Sequence, residues 1–420
     1  MKRKPVAALA LVVLALSLAS PGVMAAEVVT LRVAHHWGPD IMDRQLEFDR
    51  KFMERYPHIK IEHEITPWGQ WVETYLVQAV AGVLPDVMYI DATMLPALQQ
   101  QNAFLNLDPF IERDGPDFNI DDFHPALLGF YQDREGRQVA LPYGAGTIVL
   151  FYNKAMFDNR GVAYPDLSWR WEHEFLEAAQ KLTRLDAQGA IVEGGTGGPI
   201  LSWATDGVTL RPWGARLVND DSTESLVDRP EAIQAIEWWA SLFTQYNVVG
   251  GSWGAGTRGM MFSGTWDFTS SIQAGLEWDI AHLPAGPVTR STTYSAGSGY
   301  GIGSSTQHPE EAWLYLSEFL GTENQVFMFG STRRDPPSRR SAWYSFIEQG
   351  GDPQNVQVVF DAIEYSVPTR PMGINGSRIH GIISGYLGPV FNGQVSAAQA
   401  ASDLKIAIDA LLAEALQAER

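Results

Sequence analysis

Apolar residues recur along this chain in two rhythms. Short runs with strand-like spacing cover residues 30–34, 59–65, 87–90, 147–152 and 300–302. Between them, at 42–56, 71–81, 171–182, 229–246, 309–320 and 397–418, apolar positions return every three to four residues, the period of one helix face. Strand-then-helix alternation predicts an α/β architecture with helices packed on largely parallel sheets. Two helix starts carry punctuation. Asp228-Arg229-Pro230-Glu231 offers a capping carboxylate, a Pro for the first turn and a Glu three residues on. His308-Pro309-Glu310-Glu311 opens another, with Ala312, Leu316 and Phe319 sharing one face. The last predicted helix buries Leu404, Ile408, Leu411 and Leu412, and its alanines favour helix by propensity. Connectors at 194–199, 250–259, 284–287 and 295–303 are rich in Gly and Pro. No fixed-period repeat is present. The C-terminal helical stretches lie far along the chain from the strands they would cover, so the chain is expected to cross between two lobes several times.

The amino terminus follows neither rhythm. Lys2, Arg3 and Lys4 precede an apolar run over 6–19 interrupted only by Ser17, and Pro21-Gly22 ends it before Val23-Met24-Ala25. This is the pattern of an export leader cleaved near Ala25, with a mature chain starting at Ala26 or Glu27. The run falls short of the roughly 18–20 residues a membrane-crossing helix needs, and no Cys follows it to carry a lipid. A freely diffusing periplasmic protein is expected. The 30 Lys and Arg are outnumbered by 49 Asp and Glu, a formal charge of −19, which becomes −22 once the three basic leader residues are removed. Such a field repels nucleic acid and anionic membrane surfaces. At 420 residues the chain exceeds what one core usually supports, so two domains are expected. With no Cys, disulfides and thiolate metal sites are excluded.

Catalytic frames are missing: no HExxH, GxSxG, P-loop or strand-led GxGxxG occurs. Gly297-Ser298-Gly299-Tyr300-Gly301 leads into a strand and lacks the Lys-Ser/Thr of a phosphate cradle. A secreted polysaccharide-active enzyme stays open as a remote alternative, because carboxylate pairs abound. His35-His36, with His58 and His63, raise the idea of a metal, but adjacent strand residues point to opposite faces, and hydrogen bonding is the better reading. No metal or cofactor is expected. The tryptophans say more. Trp37 follows the first strand at a Gly-Pro turn, and Trp203, Trp213, Trp253 and Trp266 sit in Gly-rich loops. A loop indole is free to meet a ligand, and aromatic faces stack on pyranose rings. Trp171, Trp238, Trp239 and Trp313 lie within predicted helices and read as packing residues.

Several stretches resemble a known family: ALPYGAGTIVLFYNKAMFD (140–158), WEHEFLEAAQKLT (171–183), MMFSGTWDF (260–268), SGYGIGSSTQHPEEAWLYLSEFL (298–320) and VFNGQVSAAQAASDLKIAIDALLAE (390–414). Their order and spacing are similar to those of the extracellular solute-binding proteins (family 1) of ABC transporters, in the branch with maltose- and glycerol-phosphate-binding proteins. The resemblance implies a two-lobe periplasmic binding protein fold of the type II kind. Residues 27–144 and 299–343 would form the N-terminal lobe, and 145–298 with 344–420 the C-terminal lobe. Crossings would fall near 143–147, 295–299 and 341–360. It further implies a monomer that closes on a carbohydrate and delivers it to inner-membrane permease subunits with their ATPase. Carried over position by position, the ligand-binding residues are Trp37, Asp91, Tyr143, Trp213, Trp253, Trp266, Gly299 and Arg334, Gly299 letting the backbone approach the ligand. Gly146 departs from the maltose-type pattern, which has an acidic residue there. Arg333-Arg334 with Arg370 or Arg378 keep a phosphorylated or acidic solute such as glycerol phosphate as the alternative.

Overall fold

The computed structural model describes residues 28–67, 70–91, 95–133, 135–295, 298–330, 336–368 and 375–418. The segment expected to be a leader, with its expected cleavage region, and Arg333, Arg334 and Arg370 lie outside the described residues. The described strands are β1 (Val29–His35), β2 (Ile59–Ile65), β3 (Val87–Ile90), β4 (Ala140–Pro142), β5 (Gly146–Thr147), β6 (Val149–Asn153), β7 (Arg184–Leu185), β8 (Ile191–Thr196), β9 (Arg258–Ser263), β10 (Trp278–Ala281), β11 (Thr292–Ser295), β12 (Gly299–Ile302) and β13 (Ser366–Pro368).

They form two five-stranded sheets, each the centre of one α/β lobe. The first has the order β2-β1-β3-β12-β4 and the second β10-β6-β9-β8-β7. Every residue of β3 and β6 is buried, as befits near-continuous apolar strands covered on both faces. β2 alternates apolar and charged residues and lies on an edge, where the charges face water. One core surrounds the first sheet, with Leu31, Phe52, Met88, Tyr300, Trp313 and Leu316. Another lies against the second sheet, with Leu150, Trp171, Trp239, Met260, Ile383 and Leu404.

A three-stranded ribbon, β13-β11-β5, joins the lobes. The chain passes from β4 through β5 to β6, and from β10 through β11 to β12. It crosses a third time after Pro336, whose carbonyl accepts from Ala145 N at 2.8 Å, and by Phe346 it is packed in the second lobe. Thr147 Oγ1 donates to Val359 O at 3.0 Å and Thr292 Oγ1 to Ile148 O at 2.6 Å, tying the crossings together.

The sheets are mixed, which corrects the expectation of largely parallel ones. β1 runs parallel to β2 and β3, but β12 is antiparallel to both β3 and β4, and β6 is antiparallel to β9 and β10. Direction follows from the crossings: β12 enters its lobe where β3 ends, and β6 starts where β9 ends. The helix Pro230–Thr244 begins after Arg229 with no side-chain cap, so Asp228 does not close a capping box. The helix Ala397–Ala418 buries Leu404, Ile408 and Leu412, with Leu411 only partly covered. No described helix is long and apolar enough to cross a membrane.

Candidate functional site

Strand ends converge where the crossings run. β1, β3 and β4 finish at this junction and β12 begins there, Gly299 standing opposite Ile90 on one side and Pro142 on the other. Trp37, Asp91 and Tyr143, just past those ends, and Ser298, just before β12, are therefore gathered at one edge of the first sheet. Such edges, outside the carboxyl ends of strands, are where open α/β sheets hold ligands. The Trp37 ring meets Tyr143 edge-on at 5.2 Å and approaches Tyr89 at 6.3 Å and Phe329 at 6.5 Å. Tyr143 N donates to Ser298 O at 3.1 Å, and the Tyr89 and Ser298 hydroxyls are 3.0 Å apart. Burial pushes the Tyr89, Tyr131 and Tyr300 phenols well above their ordinary range, with Tyr143 adding to the effect, so all three stay neutral.

On the second sheet β6 begins and β9 ends at the same junction, Val149 opposite Ser263. The turn after β9, Gly264-Thr265-Trp266-Asp267, stands beside β5. A Cβ on Gly146 would lie 3.4 Å from Thr265 Oγ1 and 3.8 Å from the Trp266 ring. The indole also lies across Gly264, where a Cβ would come within 2.1 Å of it, so only glycine allows this pose. Ser263 Oγ donates to the Asp267 carboxylate and Ser271 Oγ to Asp267 O at 2.7 Å, bracing the turn. Trp203, from the loop after β8, meets Trp266 edge to face at 5.9 Å. Trp266 is 37% exposed, the one Trp among the exposed large apolar side chains described.

The predicted residues divide accordingly. Trp37, Asp91 and Tyr143 share the first-sheet edge, and Trp266 stands at the second. Trp213 is buried in the second core against Trp238 at 4.9 Å and Trp239 at 6.3 Å. Trp253 is buried elsewhere in that lobe, its indole N–H donating to Ser271 Oγ at 2.9 Å and its ring edge-on to Phe151. Trp37 is 4% exposed. The expectation that loop indoles have no core to fill is thus corrected for Trp37, Trp213 and Trp253, three of the five loop indoles. An indole removes roughly 150–250 Å² from water when buried, and these loops fold back far enough to use it. Gly299 is corrected as well: a Cβ there would come 2.7 Å from both Leu141 O and the Tyr131 ring, so the close approach it permits is internal. Arg334 lies outside the described residues. Arg378 is paired with Glu414 at 2.9 Å and Asn375 at 3.0 Å. Tyr89, Ser298 and Thr265 were absent from the predicted set, since each looks like ordinary strand or turn composition. Among the described residues no three His, Asp or Glu side chains are placed to hold a metal ion.

The profile of the bacterial extracellular solute-binding protein family matches residues 41–326. A binding protein of Brucella abortus is 24% identical over 296 residues, covering 65% of this chain and 67% of that one. Among solved structures, the fold is similar to that of an ABC substrate-binding protein of Listeria monocytogenes in complex with cycloalternan. Its TM-score is 0.81 at 20% identity, covering 92% of this chain and 100% of that one. It is also similar to the sugar-binding protein MalE of Xanthomonas citri, with TM-score 0.77 at 19% identity over 92% of this chain and 98% of that one.

Proposed function

From the premise that the chain belongs to the bacterial extracellular solute-binding protein family, we propose that it binds a carbohydrate between its lobes and presents it to the membrane permease of an ABC importer. The observation that carries this reading is Trp266, an indole 37% exposed that lies across Gly264 beside the strand that joins the lobes. An indole face suits the CH-rich face of a sugar ring, and the partly exposed Asp91 carboxylate and Ser298 hydroxyl supply an acceptor and a donor for sugar hydroxyls. Gly146 supports the same role by leaving the space against the indole clear of a side chain. The cycloalternan of the Listeria complex belongs to that protein and sugar binding to the Xanthomonas one, and both point to the same ligand class here.

The proposed lobes, 27–144 with 299–343 and 145–298 with 344–420, are supported by the separation of the two sheets and their cores. Contacts from both lobes favour the closed form, because only closure makes both sets at once. Export to the periplasm, with cleavage near Ala25, is part of the proposal and rests on the leader pattern. Calorimetry against mono-, di- and oligosaccharides, polyols and glycerol phosphates tests the ligand class. A sugar is expected to bind near micromolar, about −8 kcal/mol. Heat from glycerol phosphates alone, or from no member of the panel, overturns the carbohydrate reading.

A further inference from the structure

Behind the Trp37 turn lies a chain of polar side chains that the ligand contacts do not use. Asp49, on the helix Pro39–Arg55, is 2% exposed, and its Oδ1 accepts from Tyr315 OH at 2.7 Å and Gln45 Nε2 at 3.2 Å. Its Oδ2 meets His63 Nε2 at 2.8 Å, His63 Nδ1 meets His35 Nε2 at 2.9 Å, and His35 Nδ1 accepts the backbone N–H of Trp37 at 3.3 Å. The two ends fix the sense of every bond between them. A carboxylate can only accept, so His63 carries its proton on Nε2 and leaves Nδ1 as an acceptor. His35 must then carry its proton on Nε2, and its free Nδ1 is what a backbone N–H, which can only donate, requires. Two neutral rings in the same tautomer satisfy the whole chain.

We propose that Asp49, His63 and His35 are positioning residues for the turn that carries Trp37, and that loss of the acceptor at His63 Nδ1 releases this turn and weakens solute binding. A proton added at His63 Nδ1 points at the Nε2–H of His35. For His35 to accept it, its own proton must move to Nδ1, where it faces the Trp37 N–H. Either way two donors oppose each other. His35 does not relieve the conflict by taking a second proton, because burial, with His63 and His36 nearby, holds its pKa down to about 3. The other groups facing the relay are His36, the residue just past β1, Tyr315 from the helix Pro309–Phe319 and Tyr300 from β12. Burial keeps both phenols protonated. Arg32 and Glu64 on the adjoining strands pair with each other at 2.5 Å.

The positioning claim stands on the relay itself, while its effect on affinity rests on the carbohydrate reading, so the test has two arms. Ring-15N NMR of histidine in the full chain reads tautomers without any ligand, and at about pH 7.5 both His35 and His63 should carry their ring proton on Nε2. The amide protection factor of Trp37 should fall about tenfold in His63→Leu, which removes the acceptor for His35, and stay within about twofold of wild type in His63→Asn, which keeps one. A ring proton on Nδ1 of His63 or His35 in the wild type, or equal Trp37 protection in His63→Leu and wild type, overturns the relay, and the tautomer reading needs only wild-type protein should a variant fail to fold. In the second arm maltotriose is the probe, with affinity expected to drop about fivefold in His63→Leu and not in His63→Asn. Unchanged affinity in His63→Leu alongside falling protection, or no binding of maltotriose by the wild type, overturns the link to binding and leaves the relay to the NMR arm.

Discussion

Replacing Trp266 with Ala isolates the indole face on which the proposed function rests. A tryptophan side chain spans roughly 250 Å², and with 37% of it open a stacked ligand has about 90 Å² to cover. At about 25 cal/mol per Å² that area is worth about 2 kcal/mol, and the ring geometry adds about 0.5–1.5 kcal/mol. Trp266→Ala should therefore weaken sugar binding by about 2–4 kcal/mol, or roughly 30-fold to several hundredfold in Kd. Trp266→Phe, which keeps a smaller face, should fall between. Trp266 belongs to none of the described buried cores, but about two-thirds of its ring is covered, so the same substitution should cost about 1–3 kcal/mol of stability and leave the protein folded. Calorimetric titration gives Kd and a thermal melt gives stability, on one preparation. A change in Kd under threefold in the folded variant refutes the reasoning, since the indole would then not be a ligand surface. A collapse of the melt refutes it differently, by showing the ring to be a structural anchor.

Backbone crowding makes opposite predictions for two glycines. A Cβ on Gly195 would stand 1.9 Å from Ala179 O, so Gly195→Ala should cost about 3 kcal/mol or more in urea unfolding, whereas Gly381→Ala in the helix Gly376–Phe391, with nothing within 4 Å, should stabilise by about 0.5–1 kcal/mol. Arg339 is 3% exposed, donates to the carbonyls of Leu320, Asn119 and Phe118 at 2.6, 3.1 and 2.9 Å, and lies over the Phe123 ring. Arg339→Met orphans those carbonyls and should lower stability by about 3 kcal/mol; an unchanged melting temperature would deny the anchor. Burial holds His380 down to about 4, below its unfolded value of 6.5, so the unfolded chain takes up a proton first as pH drops. This group's contribution should be full above pH 6.5 and lost progressively down to about pH 4, about 3 kcal/mol in all, with His35 acting in the same direction. Denaturant midpoints across that range should fall, and His380→Asn should flatten the slope.

How much of this was legible in the residues depended on whether a signal was local. The runs at 59–65 and 87–90 and the helices at 71–81 and 397–418 coincide with the observed elements, because alternation and helical period are written into consecutive residues. The helix Gly376–Phe391 was not foreseen: four glycines and Pro389 mask its period, and it holds because Ile379, Ile383, Leu387 and Val390 are buried against the second core. The short β8, β10 and β11 were equally faint, being strands only because neighbours pair with them.

The same boundary runs through the site. By itself the chain determined its acidity and its strand-helix alternation, while the two-lobe class and the positions of Trp37, Asp91, Tyr143 and Trp266 came from segments that resemble a family in order and spacing. Tertiary structure alone decided which indoles stay open. Trp213 and Trp253 occupy loops as Gly-rich as that of Trp266, yet Trp238 and Trp239 bury one and Ser271 and Phe151 hold the other. It also set Asp49, His63 and His35 in one line from three separate elements. Exposure and hydrogen-bond partnership depend on what the rest of the chain brings to a residue, and that is fixed by packing across long sequence separations, which no local period encodes.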